Sequence, residues 1–335
     1  MTALLFILLA IVIAVAIWQV ASILKFKSVI ATEKDNNTQG ILFVVFGIFF
    51  YGLMIFSFIK YSAILLPDSA SIEGERIDNL YMVTMVLILV VQAITQFLLF
   101  YFAFKYRGIK GRKALFYSDS HKLEMIWTIT PAVVLAGLVL YGLSVWQDVM
   151  DSSDAEKPLI VEVYAKQFQW EARYAGNDNE LGLANVRNIK GINTMGVDMT
   201  DLNALDDIPT RELHLPKGRK VIFKFRSQDV LHSAYMPHFR AQMNCVPGMV
   251  TQFAFTPSMT TEEMRANEKT VKKVEGINKI RAEKGEDPYE FDYILLCNKI
   301  CGASHYNMQM KIVVEEESVF NSWLSSQKTM AQVVQ

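Results

Sequence analysis

The sequence predicts a multi-pass membrane protein in which N-terminal transmembrane helices are followed by an all-β domain outside the membrane. The 335-residue chain is 52% hydrophobic with a mean hydropathy of +0.22, which is too apolar for an ordinary soluble domain. The apolar excess lies in residues 1–147, in runs of roughly 20 residues, the length that a bilayer requires. Residues 148–335 are mixed and charged, and short apolar runs alternate there with turn residues.

Four apolar segments are predicted to cross the membrane, at residues 2–24, 41–60, 80–104 and 124–146. No basic stretch precedes the first segment, and it is longer than the apolar part of a typical signal peptide, so we expect a retained anchor. The loop at 105–122 is rich in Lys and Arg, whereas the loop at 67–79 is acidic. The positive-inside rule therefore places 105–122 in the cytoplasm and the domain of residues 148–335 outside.

The external domain contains short runs that are rich in β-branched and aromatic residues, which predict strands at 159–165, 167–174, 220–226, 250–256, 291–297 and 310–316. Pro and Gly between these runs favour an antiparallel sandwich or barrel. Two stretches do not fit a sheet, a loop-like one at 176–207 and a charged, helical one near 258–288. We interpret both as insertions, and we expect a short helix at 318–325.

The overall charge is close to neutral, with a formal net charge of −1 at pH 7. A nucleic-acid partner normally requires a strongly basic face, and the sequence gives no indication of one. Membrane lipid is the partner that the composition does predict.

The segment CNKICGASHYNM, residues 297–308, places two thiols, an imidazole and a thioether in the pattern C-x3-C-x3-H-x2-M. A disulfide is one interpretation, either between Cys297 and Cys301 or from one of them to Cys245. A metal site explains more of these residues. Zinc is rarely bound by Met, whereas thiolate, imidazole and thioether together are typical copper ligands. A mononuclear site and two coppers bridged by both sulfurs both remain open at this point.

A dinuclear site needs a second imidazole from another part of the chain. We expect His232 to supply it, from a loop at a sheet edge that follows the 220–226 strand. His214 is interpreted as a strand or surface residue, His238 as a weaker rival, and His121 as cytoplasmic. Cys245 is interpreted as a buried free thiol. The sequence contains no C-x-x-C-H motif, so covalently bound haem is not indicated.

Several motifs resemble subunit II of haem–copper cytochrome c oxidases. They are DVLHS, VPGM and CNKICGASHYNM in the external domain, and FKYRG and LEMIWTITPA in the membrane part. The resemblance covers residues 80–320, and the extra N-terminal helices and the insertions resemble Bacteroidetes-type forms. It implies a cupredoxin-like β-barrel that carries a dinuclear copper centre, CuA, on the periplasmic side of a bacterial inner membrane.

By motif position the resemblance implies six copper ligands. Two cysteines bridge the coppers, each copper has one histidine, and a thioether and a backbone carbonyl are weak ligands: Cys297, Cys301, His232, His305, Met308 and the carbonyl of Lys299.

The family's activity implies that electrons pass from a c-type cytochrome through CuA to haem in subunit I, where O₂ is reduced and protons are pumped. The chain itself is expected to carry no O₂ site, so it is one part of an enzyme. Subunit I, other oxidase subunits and a cytochrome donor, which a respiratory supercomplex could supply, are the expected partners. The alternative is a membrane-tethered copper-binding or copper-delivery protein, although delivery sites are usually open with few ligands. A quinol oxidase subunit would lack the copper ligands.

Four residues are candidates for further roles by family position. Lys299 stands where the family usually has a Glu that helps to bind Mg²⁺ or Mn²⁺ at the border with subunit I. An ammonium group has no acceptor atom, so we hypothesise that it replaces that metal as the local positive charge. Phe168 and Trp170 stand where the family often has two tryptophans, the first of which receives electrons from cytochrome c; strand packing is the alternative role. Glu124 lies at the mouth of a proton channel into subunit I, or is simply a favourable carboxylate at a helix N-terminus.

Overall fold

A computed structural model describes residues 2–24, 31–62, 66–150 and 157–334. The helices, in chain order, are α1 (Thr2–Leu24), α2 (Glu33–Tyr61), α3 (Ile72–Lys105), α4 (His121–Met150), α5 (Thr261–Ala266), α6 (Glu268–Lys284), α7 (Glu317–Ser326) and α8 (Met330–Val334). The strands are β1 (Leu159–Lys166), β2 (Gln169–Tyr174), β3 (Ile208–Thr210), β4 (Leu213–Pro216), β5 (Val221–Ser227), β6 (His232–Met236), β7 (Ala241–Cys245), β8 (Thr251–Phe255), β9 (Tyr293–Cys297) and β10 (Gln309–Glu315).

Among the described residues, α2, α3 and α4 are long and apolar enough to cross a membrane. All three extend beyond the apolar segments that predicted them. At the start of α2 a capping box extends the helix to Glu33, because Asp35 N–H donates to the Thr32 hydroxyl at 3.3 Å and Thr32 N–H donates to the Asp35 carboxylate at 3.0 Å. The helix α1 coincides with the first predicted segment, and its membrane crossing stays a prediction.

The chain divides into two compact units. The first comprises Met1–Ser62 and Ile88–Ser120, and the second comprises Ala63–Leu87 and His121–Gln335. In the first unit, α2 and the second half of α3 pack closely at a glycine, since a Cβ on Gly47 would lie 2.9 Å from the ring of Phe100. Phe43 packs on the same ring, with ring centroids 4.8 Å apart.

The second unit is built on two five-stranded sheets with the orders β3-β2-β1-β5-β8 and β4-β10-β9-β6-β7. All six predicted strands are present, and the external all-β domain with its cupredoxin-like double sheet is confirmed. The predicted antiparallel pairing holds for most strand pairs, but β1 pairs with β5 and β4 pairs with β10 in parallel. Long connections between these strands allow the chain to return in the same direction.

The main core lies between the two sheets and follows the alternation of their strands. In β9 the inward residues Tyr293, Leu295 and Cys297 are buried, while the residues between them are half-buried. Phe223 and Phe225 of β5 face them from the other sheet and are fully buried. Cys297 is thus the last inward position of a core strand.

The 176–207 insertion has two 3₁₀ turns and packs on the first sheet through a smaller core. A buried ionic network holds it there. Arg173 donates to Glu162 at 2.6 Å, to the Gly182 carbonyl at 2.7 Å and to Asp207. Arg226 also pairs with Glu162, and it donates to the Met195 carbonyl of the insertion at 3.1 Å. Each guanidinium therefore has acceptors from both the sheet and the insertion, as a buried charge requires.

The predicted charged helix near 258–288 is two helices, α5 and α6. The break comes at Asn267, whose side chain accepts the N–H of Lys269 at 2.9 Å and so caps α6. A separate capping box at Thr260 and Glu263 begins α5.

The predicted 67–79 loop is partly helical, because α3 begins at Ile72. Its first turns are bound to the β domain within the second unit. Glu73 accepts the N–H of Thr256 at 2.7 Å, and Asp78 pairs with Arg240 at 2.7 Å. The acidic residues that indicated an external loop therefore anchor the membrane helix to the external domain.

Candidate metal centre

The loop of residues 298–308 joins β9 to β10, which are neighbouring antiparallel strands. The N–H of Cys297 donates to the Met308 carbonyl at 3.0 Å and closes the loop. On the other side of β9, Ala234 of β6 pairs with Cys297, and Asn298 N–H donates to the Ser233 carbonyl at 2.9 Å. This pairing brings β6, and with it His232, alongside the loop.

The two thiols are unbonded and face each other. Their sulfurs are 3.8 Å apart, far beyond the roughly 2.05 Å of a disulfide, and both cysteines are buried and free. Burial, reinforced by the neighbouring Cys297 thiol, raises the pKa of Cys301 to about 11. The disulfide alternative between these two residues is therefore not what the structure shows.

Each sulfur faces a different imidazole. Nδ1 of His232 is 3.7 Å from Sγ of Cys297, and Nδ1 of His305 is 3.6 Å from Sγ of Cys301. The thioether of Met308 is 3.8 Å from the sulfur of Cys301. The ligand atoms of His232, Cys297 and Cys301 all lie within 4.8 Å of one another, which is close enough to hold a metal ion.

The carbonyl of Lys299 also points at the cluster, with its oxygen 3.2 Å from Sγ of Cys297. The side chain of Lys299 is exposed on this chain, as is that of the following Ile300. The six residues that the sequence singled out therefore converge on one site, with five side chains and one carbonyl.

His232 does not come from a loop at a sheet edge, as the sequence predicted. It is the first residue of β6, an interior strand between β9 and β7, and it is fully buried. The reason is the pairing of β6 with both neighbours, which the local sequence does not encode. The rivals lie elsewhere: His214 stacks on Trp323 with ring centroids 3.9 Å apart, and His238 packs edge-on against Phe291.

Asp229 is a residue that the sequence analysis did not single out. One of its carboxylate oxygens is 2.8 Å from Nε2 of His232, and the other accepts the N–H of Gln167 at 2.7 Å. Although burial raises the pKa of Asp229, the hydrogen bonds from Gln167, His232 and Val230 hold it below its usual range. A carboxylate on Nε2 fixes the imidazole orientation and leaves Nδ1 free to bind a metal.

The turn between β1 and β2 lies against the ligand loop. The side-chain amide of Gln167 donates to the Cys301 carbonyl, and the half-buried ring of Phe168 lies over Gly302. Gly302 has φ +140°, and a Cβ there would lie 2.8 Å from that ring. Glycine is therefore required both by the backbone and by the contact.

Trp170 lies beneath the site rather than on the surface, with only 3% of its area exposed. Its indole N–H points to the Met308 carbonyl at 3.4 Å, and its ring meets the His232 ring edge-on with centroids 6.1 Å apart. It therefore packs against two of the predicted ligands.

Two other candidates are not among the converging donors. Cys245 is fully buried in β7, where it pairs across the strands with His232, and burial raises its pKa to about 12, as expected of a structural thiol. Glu124 is in the first turn of α4, about half exposed and 3.5 Å from His121. Its predicted role depends on a partner surface and stays a prediction.

Comparison with known proteins places the chain in a family. Residues 59–145 match the model of the cytochrome c oxidase subunit II transmembrane domain. The alternative cytochrome c oxidase subunit 2 of Bradyrhizobium diazoefficiens is 37% identical over 234 residues, which are 69% of this chain and 73% of that protein. The chain belongs to the cytochrome c oxidase subunit 2 family. Subunit 2 of Thermostichus vulcanus is 22% identical over 292 residues, covering 80% of each chain.

Among solved structures, the periplasmic domain of subunit II of cytochrome oxidase from Bradyrhizobium japonicum resembles 53% of this chain and 95% of its own, with 18% identity and a TM-score of 0.32. As a subunit 2 family member, the chain is a membrane protein with an external domain and one part of an oxidoreductase complex that includes subunit I.

The donor set fits copper rather than zinc. Zinc is bound by Cys and His, as here, but its usual ligand sets contain no thioether. The thioether of Met308 and the thiolates are soft donors, which favour copper.

Proposed function

We propose that this chain is the electron-accepting subunit of a haem–copper cytochrome c oxidase in a bacterial inner membrane, and that its external domain holds CuA on the periplasmic side. One observation carries this proposal: two free thiols 3.8 Å apart, each against the Nδ1 of a different imidazole. This arrangement suits a pair of metals that share both sulfurs.

In this proposal Cys297 and Cys301 would bridge the coppers, and His232 and His305 would each bind one through Nδ1. Met308 and the Lys299 carbonyl would be the weak ligands. When bound, the coppers would supply one-electron transfer between a reduced c-type cytochrome and haem in subunit I, where O₂ would be reduced and protons pumped.

The protein holds the donor atoms rigidly and shields them from water. Cys297, Cys301, Met308 and His232 are buried, so little water surrounds the donors. Asp229 holds the His232 ring, and β6, β9 and β10 hold the loop ends through paired backbone. Preorganised donors need little rearrangement when the charge of the site changes.

A copper-delivery protein is the alternative. Transfer of copper to another protein requires accessible donors, whereas the buried thiols and thioether here are enclosed by the loop and by Trp170. This enclosure favours an electron-transfer site over a delivery site.

We further propose that electrons arrive near Phe168. Its ring lies on Gly302, next to the Cys301 ligand, and it is the partly exposed aromatic of the β1–β2 turn. Trp170 is buried and would support the ligands rather than contact the donor. Because tryptophan is absent at the first position, the electron donor would dock differently from a soluble cytochrome c. We propose that this donor is a c-type cytochrome domain of a partner complex in a supercomplex.

The two remaining roles concern the border with subunit I. The exposed Lys299 would supply positive charge where relatives hold Mg²⁺ or Mn²⁺, and a stoichiometric ion at this border in the intact oxidase would contradict this. Glu124 would lie at a proton-channel mouth. Glu124→Gln should slow turnover while copper content stays normal, and unchanged turnover would remove this role.

The proposal is tested by oxidation of reduced cytochrome c in the purified oxidase, with Cys297→Ser and Cys245→Ser compared in the complete chain. Cys297→Ser should abolish O₂ uptake driven by cytochrome c, because a bridging ligand is lost. Cys245→Ser replaces another buried thiol, which is not a proposed ligand, and should leave turnover near normal. Equal turnover in both variants would exclude the proposed electron route.

A further inference from the structure

A groove runs between α2 and the second half of α3, within the first compact unit. Its cavity volume is about 840 Å³, within the range of small-molecule sites. Aliphatic and aromatic side chains and two glycines line it, from Ile41 to Ile55 on α2 and from Phe97 to Phe104 on α3.

The two glycines of the groove have different surroundings. A Cβ on Gly47 would meet the Phe100 ring at 2.9 Å, so the helices approach each other there. A Cβ on Gly52 would meet nothing within 4 Å, so the groove is open there. The hydroxyl of Tyr51 donates to the Gln92 carbonyl at 3.3 Å, which satisfies this polar atom. The groove therefore offers space that an apolar chain can fill.

Cations lie at one end of the groove. The guanidinium of Arg107 is 4.1 Å from the ring centroid of Phe104, and Nζ of Lys105 is 5.1 Å from that of Tyr101; both rings line the groove. Arg112 donates to the Lys105 carbonyl at 2.6 Å, which brings a third cation to the same end. An apolar cavity with a basic mouth is complementary to an amphiphile with a negative head.

We propose that this groove binds one anionic phospholipid, with an acyl chain between α2 and α3 and the phosphate at Lys105, Arg107 and Arg112. The α2 residues that line it rise about 21 Å at 1.5 Å per residue. One leaflet of the hydrocarbon core is about 15 Å deep, so an acyl chain can follow the groove through its leaflet.

Charge and position support an anionic headgroup rather than a zwitterionic one. The basic end is the one that the positive-inside rule assigns to the cytoplasmic face, where anionic lipids attract Lys and Arg. The helix α2 lies almost wholly before residues 59–145, which the family's membrane-domain model matches. One wall of the lipid site, α2, thus lies almost wholly outside the matched segment, and the site does not depend on the metal centre.

The test uses the purified oxidase with the complete chain, exchanged into detergent with either phosphatidylglycerol or phosphatidylcholine and examined by native mass spectrometry. The wild type should retain one phosphatidylglycerol that Gly52→Leu loses, because the added side chain occupies open space of the groove, where a Cβ meets no protein atom within 4 Å. Lys105→Gln should lower phosphatidylglycerol retention about five-fold, the effect of one cation near a membrane surface, and leave phosphatidylcholine unaffected.

Gly137→Leu on α4 is the matched control, since a Cβ at Gly137 also meets nothing within 4 Å, and its lipid retention should equal that of the wild type. Equal retention in the wild type and Gly52→Leu would overturn the proposal. So would equal retention of the two lipids by the wild type, or a helix of another subunit filling the groove in a density map of the oxidase.

Discussion

Replacement of Asp229 by Asn tests whether this carboxylate positions His232 for metal binding. One oxygen lies 2.8 Å from Nε2 of His232 and also accepts the N–H of Val230 at 2.7 Å. The other accepts the N–H of Gln167 at 2.7 Å. Asparagine keeps one acceptor oxygen and turns its NH₂ toward the remaining donor. At least one hydrogen bond is lost, and two donors then face each other.

The expected cost follows from these contacts. Hydrogen bonds to a charged group contribute about 1.5–3 kcal/mol each. The Asp229 side chain is 29% exposed, so water screens part of this, and we expect a loss of about 1–2 kcal/mol in copper binding. This corresponds to about 5–30-fold weaker affinity, which overlaps the roughly 10–100-fold loss seen when partners of metal ligands are removed.

The assay is a competition titration of copper against a chelator in the purified oxidase. Asp201→Asn is the matched control, because its two oxygens also accept backbone N–H groups, from Leu183 at 2.7 Å and Asn203 at 3.2 Å, on the same domain. It should leave copper affinity unchanged. An equal loss in both variants, or none in Asp229→Asn, would refute the positioning role.

Three further substitutions test other parts of the account. Gly302→Ala should reduce copper content in metal analysis, because φ +140° and a contact at 2.8 Å both exclude a Cβ, whereas Gly276→Ala in open helix surface should have no effect. Burial raises the pKa of Asp207 to about 7 despite its pairing with Arg173. The protonated carboxyl therefore contributes to the free energy of unfolding below pH 4, and this contribution is lost as the pH rises to about 7. Asp207→Asn should flatten that part of the pH dependence of unfolding, and an unchanged slope would contradict this. Lys299→Glu should add one Mg²⁺ or Mn²⁺ per oxidase, because a carboxylate can ligate a cation and an ammonium cannot; no added metal would count against the charge-replacement hypothesis.

Local pattern predicted much of the fold. β5 and β9 were predicted because β-branched and aromatic residues recur in them, and both are core strands. β4 and β6, with the sequences LHLP and HSAYM, carry little of that signal. They are strands because β10 and β9 provide backbone partners for them, and such pairing is a property of the whole fold.

The metal centre was predictable to the extent that its ligands lie close together in the chain. The spacing within residues 297–308 predicted the loop, and the need for a second imidazole, supported by the family motif, predicted His232. Asp229 could have been predicted from the sequence, since it lies three residues before His232 in DVLHS. Gln167 could not, because only the folded chain brings it to Asp229, 62 residues away.

The most direct test is the electron paramagnetic resonance spectrum of the purified oxidase together with its copper content, for the wild type, Cys297→Ser and Cys245→Ser. We expect two coppers that share one unpaired electron in the wild type and in Cys245→Ser. Both the signal and those two coppers should be absent from Cys297→Ser. A wild-type spectrum with an ordinary mononuclear copper signal, or a signal that survives Cys297→Ser, would contradict a centre bridged by both sulfurs.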